Sequence, residues 1–291
     1  MILLWLLAPL AIVAGAFNRR RVKRAFEQEY AKRFTISADG IVEGAQGFRL
    51  AGTNGRGVLL LHGFGDSPQS LRYLGAQLHE AGYTVHAPLL PGHGRSPAAF
   101  AATRAGEYQA AARHALSELR ASTGWLGVVG LSMGGALAIT VTAESPDVRV
   151  LALLAPYLVA PPSVRWARQT AMLWSPITPY LRARGEASVH DSVAREESRA
   201  YGSFSVGALD ALIATAGAGW RALSRVRVPT LVVNSEHDNR IPRELAQRVL
   251  HQIRAPVEVH WVTGCGHVIT VDYCRDAVAG LVLAFLARHA D

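Results

Sequence analysis

Gly130-Leu131-Ser132-Met133-Gly134-Gly135 are the residues of this 291-residue chain whose types and spacing point most directly to chemistry. The apolar run Trp125 to Val129 before them reads as a short buried strand, and Ala136 to Ala143 after them as a helix. A serine on so sharp a turn has a strained backbone, and flanking glycines let strand and helix approach without a Cβ clash. Its hydroxyl projects beyond the sheet, and the helix N-terminus behind it favours developing negative charge. The order strand, Gly-x-Ser-x-Gly, helix reads as a nucleophile elbow, against the plainer reading of a small-residue turn with a bystander serine.

A serine hydroxyl needs a base, itself oriented by an acid. His267, in Gly264-Cys265-Gly266-His267, is the candidate base, because it falls in a loop between the last strand and the last helix. His79, His114, His251 and His289 fall on helices, where surface or satisfied positions explain them. His62 and His93 fall in glycine-rich loops and read as loop-holding side chains. Asp238, in Asn234-Ser235-Glu236-His237-Asp238-Asn239, is the candidate acid, with Glu236 as its rival; Asp191 and Asp210 read as solvated charges. An oxyanion would need two preorganised donors: the Met133 backbone N–H, next to the nucleophile, and the Phe64 N–H in the loop after the strand at 58–61. The Phe64 and Met133 side chains are expected to shape the substrate pocket.

Strands must carry these loops to one edge. Val58-Leu59-Leu60-Leu61, Thr84 to Leu90, Val148 to Leu154, Thr230 to Val233 and Val257 to Val262 read as strands. Helical spacing fills 71–80, 105–122, 209–217, 243–253 and 275–289 between and after them. Such alternation predicts an α/β fold with a mostly parallel sheet covered on both faces, whose ligands bind beyond the carboxyl ends of the strands. The proline- and aromatic-rich stretch from 156 to about 205 breaks the alternation and reads as an inserted cap. Tyr30 to Gly57 reads as an antiparallel edge of strands and turns.

The net charge of +8 is concentrated at one end: residues 1–33 carry seven cations and two anions, leaving +3 for the rest. A nucleic-acid partner is therefore not expected. Lys23 and Lys32 are the only lysines, which excludes a Ser-Lys dyad, a Walker-type phosphate loop and a Schiff-base lysine from the globular part. No His-Glu-x-x-His or Cys-x-x-Cys pattern occurs, so neither a metal nor another cofactor is expected. Cys265 and Cys274 are too few for a disulfide framework and read as free thiols, with a bond between them as the alternative in an oxidising compartment.

Met1 to Phe17 has no charged side chain and is followed by Arg19-Arg20-Arg21-Val22-Lys23-Arg24. The expectation is a single-pass anchor over residues 1–18, making the membrane a partner through residues 1–17. A basic juxtamembrane segment would occupy 19–33, and the α/β domain, 34–291, would face the cytoplasm from a bacterial-type inner membrane. The alternative is a secretory signal cleaved near Ala14-Gly15-Ala16, with export of the remainder.

Taken together, His62-Gly63-Phe64, Pro91-Gly92-His93-Gly94, the serine elbow, the Asp238 loop and Gly266-His267-Val268-Ile269-Thr270 resemble the bacterial carboxylesterase and monoacylglycerol lipase branch of the α/β-hydrolase superfamily. The resemblance runs from about residue 55 to the C-terminus. It implies a sheet of about eight strands with a small cap inserted after the sixth. It also implies hydrolysis of a small carboxylic ester through an acyl-serine; the apolar residues of the cap suggest an apolar acyl chain, and the N-terminal membrane segment suggests a lipid-derived substrate. An acyltransferase on the same residues, and a catalytically silent binding protein, are the alternatives.

Overall fold

The computed structural model describes residues 2–183 and 186–290, with side chains from residue 14 onward. A long helix, α1 (Ile2–Arg33), leads the chain. The first half of the sheet region is β1 (Phe48–Leu50), β2 (Arg56–Leu61), α2 (Arg72–Glu80), β3 (Thr84–Ala87), α3 (Pro97–Ala102) and α4 (Ala105–Arg120). It continues through β4 (Trp125–Leu131), α5 (Met133–Glu144) and β5 (Val148–Leu154). The cap follows, with α6 (Pro162–Gln169), α7 (Ala171–Trp174), β6 (Leu181–Arg182), α8 (Ser192–Glu197) and β7 (Ser203–Phe204). The chain then returns through α9 (Val206–Leu223), β8 (Thr230–Ser235), α10 (Arg243–Leu250), β9 (Val257–Val262) and α11 (Arg275–Arg288).

The main sheet has the order β1-β3-β2-β4-β5-β8-β9 and is parallel except for β1. β4 and β8 are buried along their whole length, and β2 and β5 nearly so, as continuous apolar strands must be when helices cover both faces. Leu137, Leu116 and Leu212 from α5, α4 and α9 fill the core on one face. Leu74 and Leu78 of α2 and Val282 and Phe285 of α11 fill it on the other. The three loops that carry Ser132, Asp238 and the Phe64 turn all leave the carboxyl ends of parallel strands.

Three expectations need correction. The sheet has seven strands among the described residues, because Ile36 and Val42 form only an isolated bridge, and the cap therefore follows the fifth strand. Cys265 and Cys274 are not free: they are joined in a disulfide, both buried, Cys265 two residues before His267 and Cys274 just before α11. The membrane anchor and the inner-membrane placement built on it also fall. No helix among the described residues is long and apolar enough to cross a membrane. Seventeen apolar residues at about 1.5 Å each reach only about 25 Å, short of a hydrocarbon core about 30 Å thick. There is no break at residue 18 either. α1 runs on as one helix, Asn18 Nδ2 donates to the Ile177 carbonyl at 3.5 Å, and Arg19 donates to the Ser175 carbonyl, both on the cap.

Candidate active site

Ser132 stands between the last residue of β4 and the first of α5, with φ 54° and ψ −118°. A non-glycine residue here is strained, and its neighbours hold it there. The Ser132 N–H donates to Leu154 O at 2.8 Å, while the Ser132 carbonyl accepts from Gly135 N (2.9 Å) and Tyr157 N (3.0 Å). Close approach explains the glycines. A Cβ on Gly130 would lie 2.2 Å from Gly134 O, and one on Gly134 would lie 2.0 Å from Leu61 O.

His267 Nε2 lies 2.8 Å from Ser132 Oγ, and its Nδ1 lies 2.8 Å from Asp238 Oδ2. Asp238 Oδ1 accepts from Arg240 N at 2.7 Å and Ile241 N at 2.8 Å. Burial pushes the Asp238 carboxyl up, but the His267 charge, its hydrogen bond and the two backbone N–H groups together hold it below the usual carboxylate range. An ionised carboxylate can only accept, so the ring proton belongs on Nδ1 and Nε2 is free to accept from the serine hydroxyl. Glu236, the rival acid, is exposed and paired with Arg243 at 2.5 Å.

The two loop histidines are fully buried. His62 Nε2 accepts from Leu90 N at 3.1 Å and its Nδ1 lies 3.0 Å from Gly63 O. His93 Nε2 accepts from Gly65 N at 3.1 Å and its Nδ1 lies 3.0 Å from Pro91 O. Each ring uses both nitrogens on backbone, a pattern only the neutral tautomer satisfies. Burial drives His62 well below its usual pKa and His93 to about 4.

With the Gly65 N–H spent on His93 and the Ser132 N–H on Leu154, the N–H groups of Phe64 and Met133 have no hydrogen-bond partner among the described residues. The Phe64 ring lines a cavity of about 300 Å³ that opens onto Ser132 and His267. Met133 does not: its side chain is fully buried in the main core, so only its backbone remains available to a substrate. Tyr157, Val164, Phe204, Leu209 and Leu212 give the cavity an apolar wall on the cap side. Among the described residues no cluster of His, Cys, Asp or Glu is arranged to hold a metal ion.

Two carboxylates escape a sequence reading. Asp272 is fully buried and accepts four backbone N–H groups, those of His190 (2.8 Å), Asp191 (2.9 Å), Gly266 (2.8 Å) and Tyr273 (2.9 Å). Burial pushes it up, but these bonds hold it ionised and tie the cap to the residue before His267. Asp66 lines the cavity and accepts from Ser70 Oγ at 2.5 Å. Burial raises its carboxyl to about 6 despite the pull of Ser70, the Ser67 N–H and His267. No spacing in the sequence singles out either residue; a short-range Asp-x-x-x-Ser pattern is the only trace of Asp66.

The strand order, the antiparallel first strand, the insertion after the fifth strand and the strained serine at a strand-to-helix turn define an enzyme of the α/β-hydrolase class. Comparison with known proteins is more specific. The model of the family described as serine aminopeptidase, S33, matches residues 53–273, and the chain belongs to that family. It is 27% identical over 238 residues to a carboxylesterase of Bacillus subtilis (strain 168), covering 80% of this chain and 93% of the relative. It is 28% identical over 252 residues to a thermostable monoacylglycerol lipase of Bacillus sp. (strain H-257), covering 86% and 97%. Among solved structures, a metagenome-derived lipolytic enzyme superposes with a TM-score of 0.78 at 28% identity, over 86% of this chain and 100% of the other.

Proposed function

We propose that this protein hydrolyses carboxylic esters with apolar acyl chains through an acyl-serine intermediate on Ser132. The observation that carries the proposal is the continuous line of hydrogen bonds from Ser132 Oγ through His267 to Asp238, with Ser132 and His267 lining the cavity beside the cap. His267 removes the hydroxyl proton as Oγ attacks the ester carbon, then returns it to the departing alcohol. In the second half-reaction it takes a proton from water, which attacks the acyl carbon and regenerates the serine. Asp238 fixes the imidazole tautomer and stabilises the imidazolium. The Phe64 and Met133 N–H groups receive the oxyanion, and removing one such donor typically costs about 3–4 kcal/mol of barrier.

The curated carboxylesterase and monoacylglycerol lipase relatives, each covered over nine-tenths of its length or more, support an ester over a peptide despite the family's descriptive name. The apolar cavity wall supports an acyl chain of modest length. The test is turnover of p-nitrophenyl esters of graded chain length by the full chain and by Ser132→Ala. Turnover lost on substitution is the expected result; equal rates, or cleavage of aminoacyl p-nitroanilides in preference to esters, would overturn the proposal. Product analysis with competing alcohols distinguishes hydrolysis from acyl transfer.

A further inference from the structure

We propose that the C-terminal half of α1 is a strap that holds the oxyanion loop in register, with Tyr201 of the cap as the positioning residue between them. The inference rests on the reading of the Phe64 N–H as an oxyanion donor.

Four aromatic rings stand in a row from the N-terminal helix to that loop. Tyr30 of α1 stacks on Tyr201 with ring centroids 5.1 Å apart and planes at 18°. Tyr201 stacks on Phe100 at 4.6 Å and 7°, and Phe100 meets Phe64 at 4.9 Å. Tyr30, Phe100 and Tyr201 are buried members of a third apolar cluster, and Phe64 packs against both that cluster and the main core.

The backbone contacts give the row a function that packing alone does not need. Tyr201 N donates to Gly65 O at 2.9 Å, while Gly65 N donates to His93 Nε2 at 3.1 Å. Both polar groups of the residue after Phe64 are thus clamped, one by the cap and one by the neighbouring loop. The Tyr201 hydroxyl donates to Gly92 O at 2.8 Å and accepts from Arg95 N at 3.0 Å, so one side chain fixes the loop that carries His93 as well. Gly65 has φ +66°, a region that glycine visits freely, so the turn needs external restraint to hold one conformation. Tyr201 in turn is held from α1: Tyr30 covers its ring, and Arg33 Nη1 donates to Ala200 O at 3.4 Å. Further up the helix Phe26 stacks on Tyr180 at 4.8 Å, and Arg182 pairs with Glu29. An oxyanion donor works only when it is aimed before the charge develops, so a small drift of the Phe64 N–H lowers the rate without changing ground-state binding.

The experiment uses the full chain carrying Tyr30→Ala, Tyr201→Ala or Tyr201→Phe, at a temperature where circular dichroism shows each variant folded. Tyr30→Leu, which keeps apolar volume but removes the stack, replaces Tyr30→Ala if that variant does not fold. Three quantities are read: kcat and KM on a p-nitrophenyl ester, the rate of covalent labelling by a fluorophosphonate, and the pH profile of kcat/KM. Tyr30→Ala is expected to lower kcat and the labelling rate by the same factor, about tenfold, with KM within twofold and the pH midpoints unmoved. Tyr201→Phe keeps the stack and loses the hydroxyl's three hydrogen bonds, to Gly92 O, Ser96 O and Arg95 N, and its kcat is expected to fall about threefold. The Tyr30→Ala/Tyr201→Ala double variant is expected to be no slower than Tyr201→Ala, as for residues acting in series. Unchanged kcat with a lowered melting temperature would overturn the strap, as would a kcat loss that labelling does not share. Activity and labelling that survive Ser132→Ala would instead remove the underlying reading of the site.

Discussion

Reducing the bond between Cys265 and Cys274 is a local perturbation whose size follows from the chain alone. The bridge closes a loop with a sequence separation of 9, inside which Gly266, His267 and Asp272 lie. Restricting the unfolded chain by a loop of about ten residues is worth about 2.7 kcal/mol at 25 °C in the loop-entropy treatment. Both cysteines are buried, so the reduced thiols stay packed and little native enthalpy need change. The expected result is a loss of about 2–3 kcal/mol in unfolding free energy on adding a phosphine reductant. The assay is urea unfolding followed by tryptophan fluorescence, in paired samples at one pH, with thiol titration of the unfolded protein beforehand. Cys265→Ala/Cys274→Ala controls for the reductant, and should lose at least as much because it also empties volume in the core. Curves that coincide within about 0.5 kcal/mol, or thiols that titrate without reductant, would refute the reasoning.

Three further outcomes follow from the site and its supports. Asp238→Asn should leave the melting temperature near that of the parent while lowering kcat by about 10³–10⁴-fold, since an amide can donate to Nδ1 and stabilise the wrong tautomer; steady-state kinetics decide it. Gly134→Ala should cost about 3 kcal/mol or more in thermal unfolding, because the new Cβ would sit 2.0 Å from Leu61 O and backbone cannot step aside. Stability should also fall as pH drops from 6.5 towards 4. His93 is neutral when folded with a pKa of about 4, so over that window the unfolded chain binds a proton that the folded chain refuses. The loss from His93 is about 2–3 kcal/mol, and His93→Gln, titrated by denaturant midpoints across the same pH range, should reduce the slope.

The elements that position the site were legible because their signals are local. β5 ends with the apolar run Val150 to Leu154, β9 alternates apolar and polar residues over Val257 to Trp261, and the elbow announces itself by glycines that only a crossing of backbones requires. The chain order of Ser132, Asp238 and His267 could be read for the same reason, each residue following a strand in a loop of its own. What was not legible depends on contacts between distant segments. The thiol pair looks unremarkable at a separation of nine until the turn into α11 brings the two sulfurs together. Asp272 resembles any charged residue in a loop, yet four N–H groups from two segments converge on it. The N-terminal stretch misled for a physical reason. Apolar composition alone does not make a span, which also needs length, and the helix that the stretch opens runs on without a break to meet the cap through Asn18 and Phe26 and Tyr201 through Tyr30.

The central claim is that an acyl group passes through Ser132, and rapid acid quench of a p-nitrophenyl ester reaction, followed by peptide mass spectrometry, tests it directly. The account expects the acyl mass on the peptide that contains Ser132, and no acylated peptide and no turnover in Ser132→Ala. Acyl mass on any other residue, or unaltered turnover in Ser132→Ala, would contradict it.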